Sequence, residues 1–278
     1  LADEKPNPET VDKIIDKIVT KVNAEQSDYI AEEIAKAFVD GVTQAEKELK
    51  KASSTLQSAT EEELSRQQKS AIQQLSAEHF GYIAEFNAAV GEQLKREARN
   101  LLQQEKGYSE VKKEILQYTD DVFGGKETVM IDRVGQTRNI IKVGKDGALR
   151  EVEKTITRPY HSSVTDYADM LSRTSTHSAW ERGRASEYQR QGFGRWQFVG
   201  PIDERSRPDH VAILGNVYEY GTEQSDYALR LLDEPNCRHR AVVYFEDEEL
   251  DTPGDFFEQQ KEQAGLKWDE EKDEWAFV

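Results

Sequence analysis

The chain has 278 residues, 36% of them hydrophobic and 33% charged, with a formal net charge of -17 and one cysteine. That length holds about two domains, and the acidic whole-molecule field opposes binding to nucleic acid or anionic membranes. No run of about 20 apolar residues is present to span a bilayer, Leu1-Ala2-Asp3-Glu4 lacks the basic and apolar regions of a signal peptide, and a lone cysteine closes no intrachain disulfide.

Pro6 and Pro8 open a first predicted helix, capped at Thr10, with Val11, Ile14, Ile15, Ile18, Val19 and Val22 at helical spacing. Ser27-Asp28 reads as the cap of a second, striped by Ile30, Ile34, Phe38 and Val42, and Gly41 weakens it without ending it. Ser58-Ala59-Thr60 before Glu61-Glu62-Glu63 is a strong start signal, because acids in a first turn complement the helix dipole. The apolar face that follows, from Leu64 through Ile83 and Phe86 to Leu101, predicts one very long helix reaching about Gln104, roughly 65 Å in length. His79 falls on that stripe and reads as a core histidine. Gly107 ends the helix, and Ser109 caps a short one through Val122.

After Gly124-Gly125 the pattern changes. Residues 129–134, 139–143 and 149–157 predict strands, the last two joined by Gly144-Lys145-Asp146-Gly147, a hairpin signal. Ser162-Ser163 starts a helix to about Gln191, on which Arg173, His177, Trp180 and Arg184 share one face. Residues 195–199, 216–220 and 241–245 read as strands, and Asp203 caps a turn or short helix through Leu214. Pro253-Gly254 precedes a last short helix. Trp268 and Trp275 then flank a charged turn, which is either a small hairpin with paired indoles or a tail whose aromatics, Phe277 included, anchor a partner. The expected class is α+β: a long-helix region over 1–124, a small mixed α/β domain over 125–245 and an acidic, aromatic extension over 246–278.

Charge is unevenly spread. From Glu246 to Val278 there are 13 acidic residues against 3 lysines, a net of -10. Two readings stand side by side: an acidic interaction tail, or the carboxylate-rich surface of a protein from a salt-loving host. From Thr155 to Gln260 there is no lysine, whereas arginine occurs ten times between Arg173 and Arg240. Guanidinium pairs in a planar fork and loses less than ammonium on desolvation, so this segment is expected to be cross-linked by ion pairs.

Its polar motifs come in a set order. Arg173-Thr174-Ser175-Thr176-His177 lies on the predicted helix. Asp203-Glu204-Arg205 and Asp209-His210 follow, then Gly215-Asn216-Val217-Tyr218, then Pro235-Asn236-Cys237-Arg238-His239. In order and spacing, residues 160–245 resemble the head-morphogenesis domain of tailed viruses, the group of Mu F-like and minor capsid protein 2 proteins. The Arg-Thr helix, the Asp-x-Arg…His loop, the glycine turn and the closing Asn-Cys-Arg element each have a counterpart here. The resemblance covers about a third of the chain.

That resemblance implies a minor head protein: inside the capsid near the portal, made in the host cytoplasm, bound to portal or major capsid protein, and touching packaged DNA at most indirectly. Self-association through the long helices is a further expectation. Members often carry cysteine where Arg207, His210 and His239 stand here, a set that suits zinc. In this chain the candidate ligands are His210, Cys237 and His239, with Glu234 as a conceivable fourth. The preferred reading is a polar clasp without metal or other cofactor. In it Asp203 caps a turn, Arg205 and Arg238 pair with carboxylates, Asn236 supports a turn through its side chain, and Cys237 is a small buried residue; Arg173, Thr174, His177, His210, Gly215 and His239 complete it. No Gly-x-Ser-x-Gly, His-Glu-x-x-His or phosphate loop is present, so a structural role is expected. A Cys–His enzyme and a DNA-binding module through the arginine face are the alternatives.

Overall fold

A computed structural model describes residues 8–52, 66–103, 108–245 and 254–278. In chain order its elements are α1 (Pro8–Ala52), α2 (Arg66–Leu102), α3 (Tyr108–Phe123), β1 (Thr128–Ile131), β2 (Thr137–Val143), β3 (Leu149–Thr155), β4 (Tyr160–Ser163), α4 (Val164–Arg190), β5 (Arg195–Val199), α5 (Pro208–Ala212), β6 (Val217–Glu219), α6 (Glu223–Leu232), β7 (Arg240–Val243), α7 (Gly254–Gln263), β8 (Leu266–Asp269) and β9 (Glu274–Phe277). This is the expected α+β class, with long helices first and small sheets after. The start signal at 58–63, the helix end at Gly107 and the acidic run 246–253 lie outside the described residues.

The first helix departs from expectation. Two helices were predicted, with a break at Ser27-Asp28; α1 instead runs 45 residues without interruption, about 68 Å. Val11, Ile15, Ile30, Ile34, Phe38, Ala45 and Leu49 are buried along it. No proline or glycine interrupts the helix at Ser27, and a continuous buried stripe outweighs a local capping preference.

The chain forms two compact units interleaved in sequence: Leu1–Glu33, Gln73–Gln136 and Thr155–Arg173 make the first, and Ile34–Ile72, Thr137–Lys154 and Thr174–Val278 the second. Helices α1, α2 and α4 therefore each contribute residues to both.

The first unit has a largely apolar interior. Ile83, Phe86, Val90, Leu94 and Ala98 of α2 are buried, and the Phe86 and Tyr167 rings stack with centroids 4.0 Å apart. A cavity of about 180 Å³ lies beside them, bordered by Ile30, Ile83 and Leu171. Its one fully buried amide, Asn87, donates to Asn23 Oδ1 at 2.6 Å and Gln26 Oε1 at 2.7 Å. His79 is buried, as the stripe required. Strand β1 pairs antiparallel with β4, from Thr128↔Ser163 to Ile131↔Tyr160, and buries Val129 and Ile131 on alternate positions.

In the second unit β5 is the central strand of a three-stranded sheet ordered β6-β5-β7. Trp196 stands opposite Tyr218 on one side and Val243 on the other. Trp196, Phe198, Ile213, Leu231, Leu232 and Ala241 form a core with Ile141, Val143 and Leu149 of the β2–β3 hairpin, and the Trp196 indole donates to Ser225 Oγ at 2.9 Å. Where α1 meets α4 in this unit the backbones are close: a Cβ on Gly41 would stand 2.1 Å from the Trp180 carbonyl oxygen, and one on Gly183 2.1 Å from that of Phe38. Only glycine fits that crossing. Arg184 is buried there between Glu48 at 2.7 Å and Glu181 at 3.4 Å, with its guanidinium carbon 4.5 Å from the Trp180 ring centre. The chain end is a hairpin, β8 on β9, in which Trp268 faces Trp275 edge to face with centroids 5.5 Å apart. Trp275 donates to the Gly144 carbonyl at 3.2 Å, and Lys145 pairs with Glu270.

Candidate functional site

Three short stretches of the second unit converge on Cys237. The first follows β5. Asp203 turns the chain, its Oδ1 accepting from the Arg205 amide at 2.9 Å while its carbonyl accepts from the Ser206 amide at 2.9 Å. The second is α5, opened by Pro208 at its first position, where a missing N–H costs nothing; it carries His210. The third is the turn Glu234-Pro235-Asn236-Cys237, closed by the Cys237 amide on the Glu234 carbonyl at 3.0 Å. Asn236 sits there at φ 59°, the left-handed conformation that a proline-led type II turn demands at its third residue and that asparagine tolerates.

Two contacts tie the stretches together. Arg238 grips Asp203 with a two-pronged fork, Nη1 to Oδ2 at 2.7 Å and Nη2 to Oδ1 at 2.6 Å. That guanidinium, aided by the Arg205 amide, holds the Asp203 carboxyl well below the usual range. Arg207 does the same for the third stretch: its Nη2 donates to the Pro235 carbonyl at 2.7 Å, and its Nη1 meets Glu234 Oε2 at 3.1 Å. From α4, His177 Nε2 lies 3.1 Å from the His239 carbonyl oxygen and donates to it as a neutral ring; burial lowers the affinity of His177 for a second proton.

At the centre stand three buried donor atoms. Cys237 Sγ is 3.5 Å from His210 Nδ1 and 3.7 Å from His239 Nδ1, and the two nitrogens are 3.4 Å apart. Glu234 Oε2 faces the far side of the His210 ring, 3.1 Å from Nε2. A carboxylate there fixes the tautomer, so Nε2 carries the hydrogen and Nδ1 presents its lone pair to the cluster. The His239 ring stacks on Phe198, centroids 5.2 Å apart, and Gly200 makes room for it, since a Cβ there would stand 2.4 Å from His239 Cδ2. Burial pushes the Cys237 thiol up to about 12. Burial, then the neighbouring His210, pushes His239 down to about 3. Cys237 also borders an open hollow of about 430 Å³, lined in part by His177, Trp180, Arg238 and Arg240.

Most of the expected clasp is therefore brought together: His177, Asp203, His210, Cys237, Arg238 and His239 meet directly. Thr174 is buried in the same unit. Gly215 supports it from the neighbouring turn, its carbonyl accepting from Gln197 at 2.9 Å. Four expectations need correction. Arg205 contributes its backbone amide, but its side chain is exposed and forms no ion pair among the described residues. Arg173 is exposed and belongs to the first unit. Asn236 acts through its backbone conformation rather than its side chain. Glu234 stands behind His210 and is not a member of the donor cluster. Arg207, which buttresses the third stretch, was missed; its place directly before Pro208 was the available signal. Of the expected partner anchors, Trp268 and Trp275 pair with each other and Trp275 packs on the unit's own core, while Phe277 is exposed.

No protein-family model, curated protein or solved structure matches the chain.

Proposed function

We propose that the chain is a minor capsid, head-morphogenesis protein of a tailed virus. It acts inside the head near the portal, entering during assembly in the host cytoplasm and assisting assembly, packaging or ejection of DNA without catalysing a reaction. The observation that carries this is the convergence on Cys237. The Arg-Thr helix, the Asp-x-Arg…His loop and the Asn-Cys-Arg element are dispersed over more than sixty residues, yet His177, Asp203, His210, Arg238 and His239 make one clasp in the second unit. Motifs that resemble a family's in order and spacing, and that also build one local structure, are a stronger basis than motifs alone.

The chemistry of the clasp favours assembly over reaction. A nucleophilic cysteine needs a lowered pKa and access, whereas burial holds this thiol at about 12. Several of the ten arginines between Arg173 and Arg240 are paired with carboxylates, among them Arg182 with Asp233, Arg184 with Glu48, Arg207 with Glu234, Arg230 with Glu151 and Arg238 with Asp203. Pairing of that kind leaves little for phosphate contacts. In this reading the partners are the portal and major capsid proteins, with homo-oligomers formed through the helices. The carboxylate surface fits a host of high internal salt, in which case dialysis to low salt unfolds the chain.

Fractionation of virus particles tests the proposal. The protein travels with filled heads and cross-links to the portal; a protein found only in the soluble fraction of infected cells overturns it.

A further inference from the structure

We infer that His210 Nδ1, Cys237 Sγ and His239 Nδ1 are three ligands of a tetrahedral zinc ion that fastens α5 to the turn preceding β7. The inference rests on the shape of the donor triangle and stands apart from the viral reading.

A tetrahedral zinc with bonds of about 2.0–2.1 Å to nitrogen and about 2.3 Å to sulfur sets its nitrogens about 3.4 Å apart and each nitrogen about 3.5 Å from the sulfur. The three edges here are 3.4, 3.5 and 3.7 Å. All three residues are buried, and their donor atoms lie within 3.7 Å of one another. Packing alone gives little reason for this: two imidazole edges and a thiol turned inward bring three buried polar atoms together where apolar surface would pack better. The ring orientations are, moreover, imposed from behind. Glu234 holds His210 Nε2 at 3.1 Å, the carboxylate–histidine arrangement that orients metal-binding imidazoles. Arg207 holds Glu234 in turn. Phe198 and Gly200 fix the His239 ring.

The competing account is a hydrogen-bonded knot. It is poorer in donors. With Nε2–H of His210 committed to Glu234, its Nδ1 is an acceptor only, and one thiol hydrogen and one His239 hydrogen must serve the whole triangle at separations of 3.4–3.7 Å, long for strong hydrogen bonds. A metal satisfies all three at once: binding expels the thiol proton to solvent, and the thiolate and two lone pairs coordinate. No fourth donor joins the cluster among the described residues, so the fourth position falls to a solvent molecule. Soft sulfur with two imidazoles selects zinc over magnesium or calcium.

Untagged full-length protein, stripped with a chelator, is titrated with cobalt(II) as the spectroscopic probe and then with zinc. The expected result is one cobalt per chain, with the thiolate-to-cobalt charge-transfer band and the intense visible bands of tetrahedral coordination, both erased by zinc. Cys237→Ser abolishes the charge-transfer band. Glu234→Gln, which leaves every ligand in place, weakens zinc binding by about 10–100-fold. Far-ultraviolet circular dichroism of each stripped variant guards against simple misfolding. X-ray absorption on the zinc-loaded wild type, which needs no variant, must give one sulfur and two imidazole nitrogens. Absence of a charge-transfer band in the folded wild type, or binding that survives Cys237→Ser unchanged, overturns the inference. Particle fractionation and cobalt titration read different things, so either proposal can fail without the other.

Discussion

The two units bury their interiors by different means. In the first, Phe86, Val90, Leu94 and Tyr167 are stacked apolar surface beside a small cavity, with Asn87 as the principal buried polar group. In the second, Arg184, Glu181 and Glu187 are as fully buried as Trp196 and Phe198. An apolar interior is held by area, so any side chain of similar volume serves. A buried charge network is held by partners, and each member is costly once its partner is gone. Specificity in this molecule is concentrated in the second unit, where the clasp also lies.

The sharpest way to break this contrast is Arg184→Ala. It leaves Glu48 and the buried Glu181 without their shared counter-charge, and urea unfolding should register a loss of about 3–5 kcal/mol. Restoring volume with Arg184→Met should recover little of it. Leu94, 1% exposed in the first unit, makes the matching pair: Leu94→Ala costs about 2–5 kcal/mol, but Leu94→Met less than about 1.5 kcal/mol. If both methionine variants behave alike, the distinction between the units is wrong.

Acidity separates the two kinds of carboxylate within the second unit. Burial raises Glu181 from its ordinary 4.5 to about 7. Between those values the folded chain holds more protons there than the unfolded chain, so this group makes stability fall as pH rises across that window. Glu181→Gln keeps an acceptor for the Ala241 amide and should flatten the dependence in thermal unfolding at stepped pH. The smallest effect is expected from Asp203→Asn. Asp203 is exposed and its carboxyl is depressed by Arg238, so its contribution is present above the ordinary aspartate range and is lost as pH falls from that range down through the depressed folded value. The substitution should barely move stability at neutral pH and should make the acid-side decline shallower.

Local pattern carried much of the fold. The apolar stripes named the buried faces of α1 and α2, and the Gly144–Gly147 turn named the β2–β3 hairpin. Helix α6 had a readable start in Thr222 followed by Glu223, and the structure uses Thr222 as the cap, but the segment was too short to stand out. Strand β4 is four polar residues whose only reason to be extended is β1, 29 residues away along the chain at the closest pair, Ile131↔Tyr160, and no local pattern reports that. The clasp was legible as an ordered list of motifs. Its distances were not, since the position of His239 depends on Gly200 and Phe198 as much as on its neighbours. Arg184 gave no hint that its partner was Glu48, 136 residues earlier.

The most direct test of the closed clasp is the rate at which an alkylating reagent modifies Cys237 in the native, chelator-stripped chain compared with the same chain in denaturant. A buried thiol held at about 12, against an ordinary value of about 8.5, should react more slowly by on the order of a thousandfold. Comparable rates in the two states would mean that the stretches around Cys237 do not close on it.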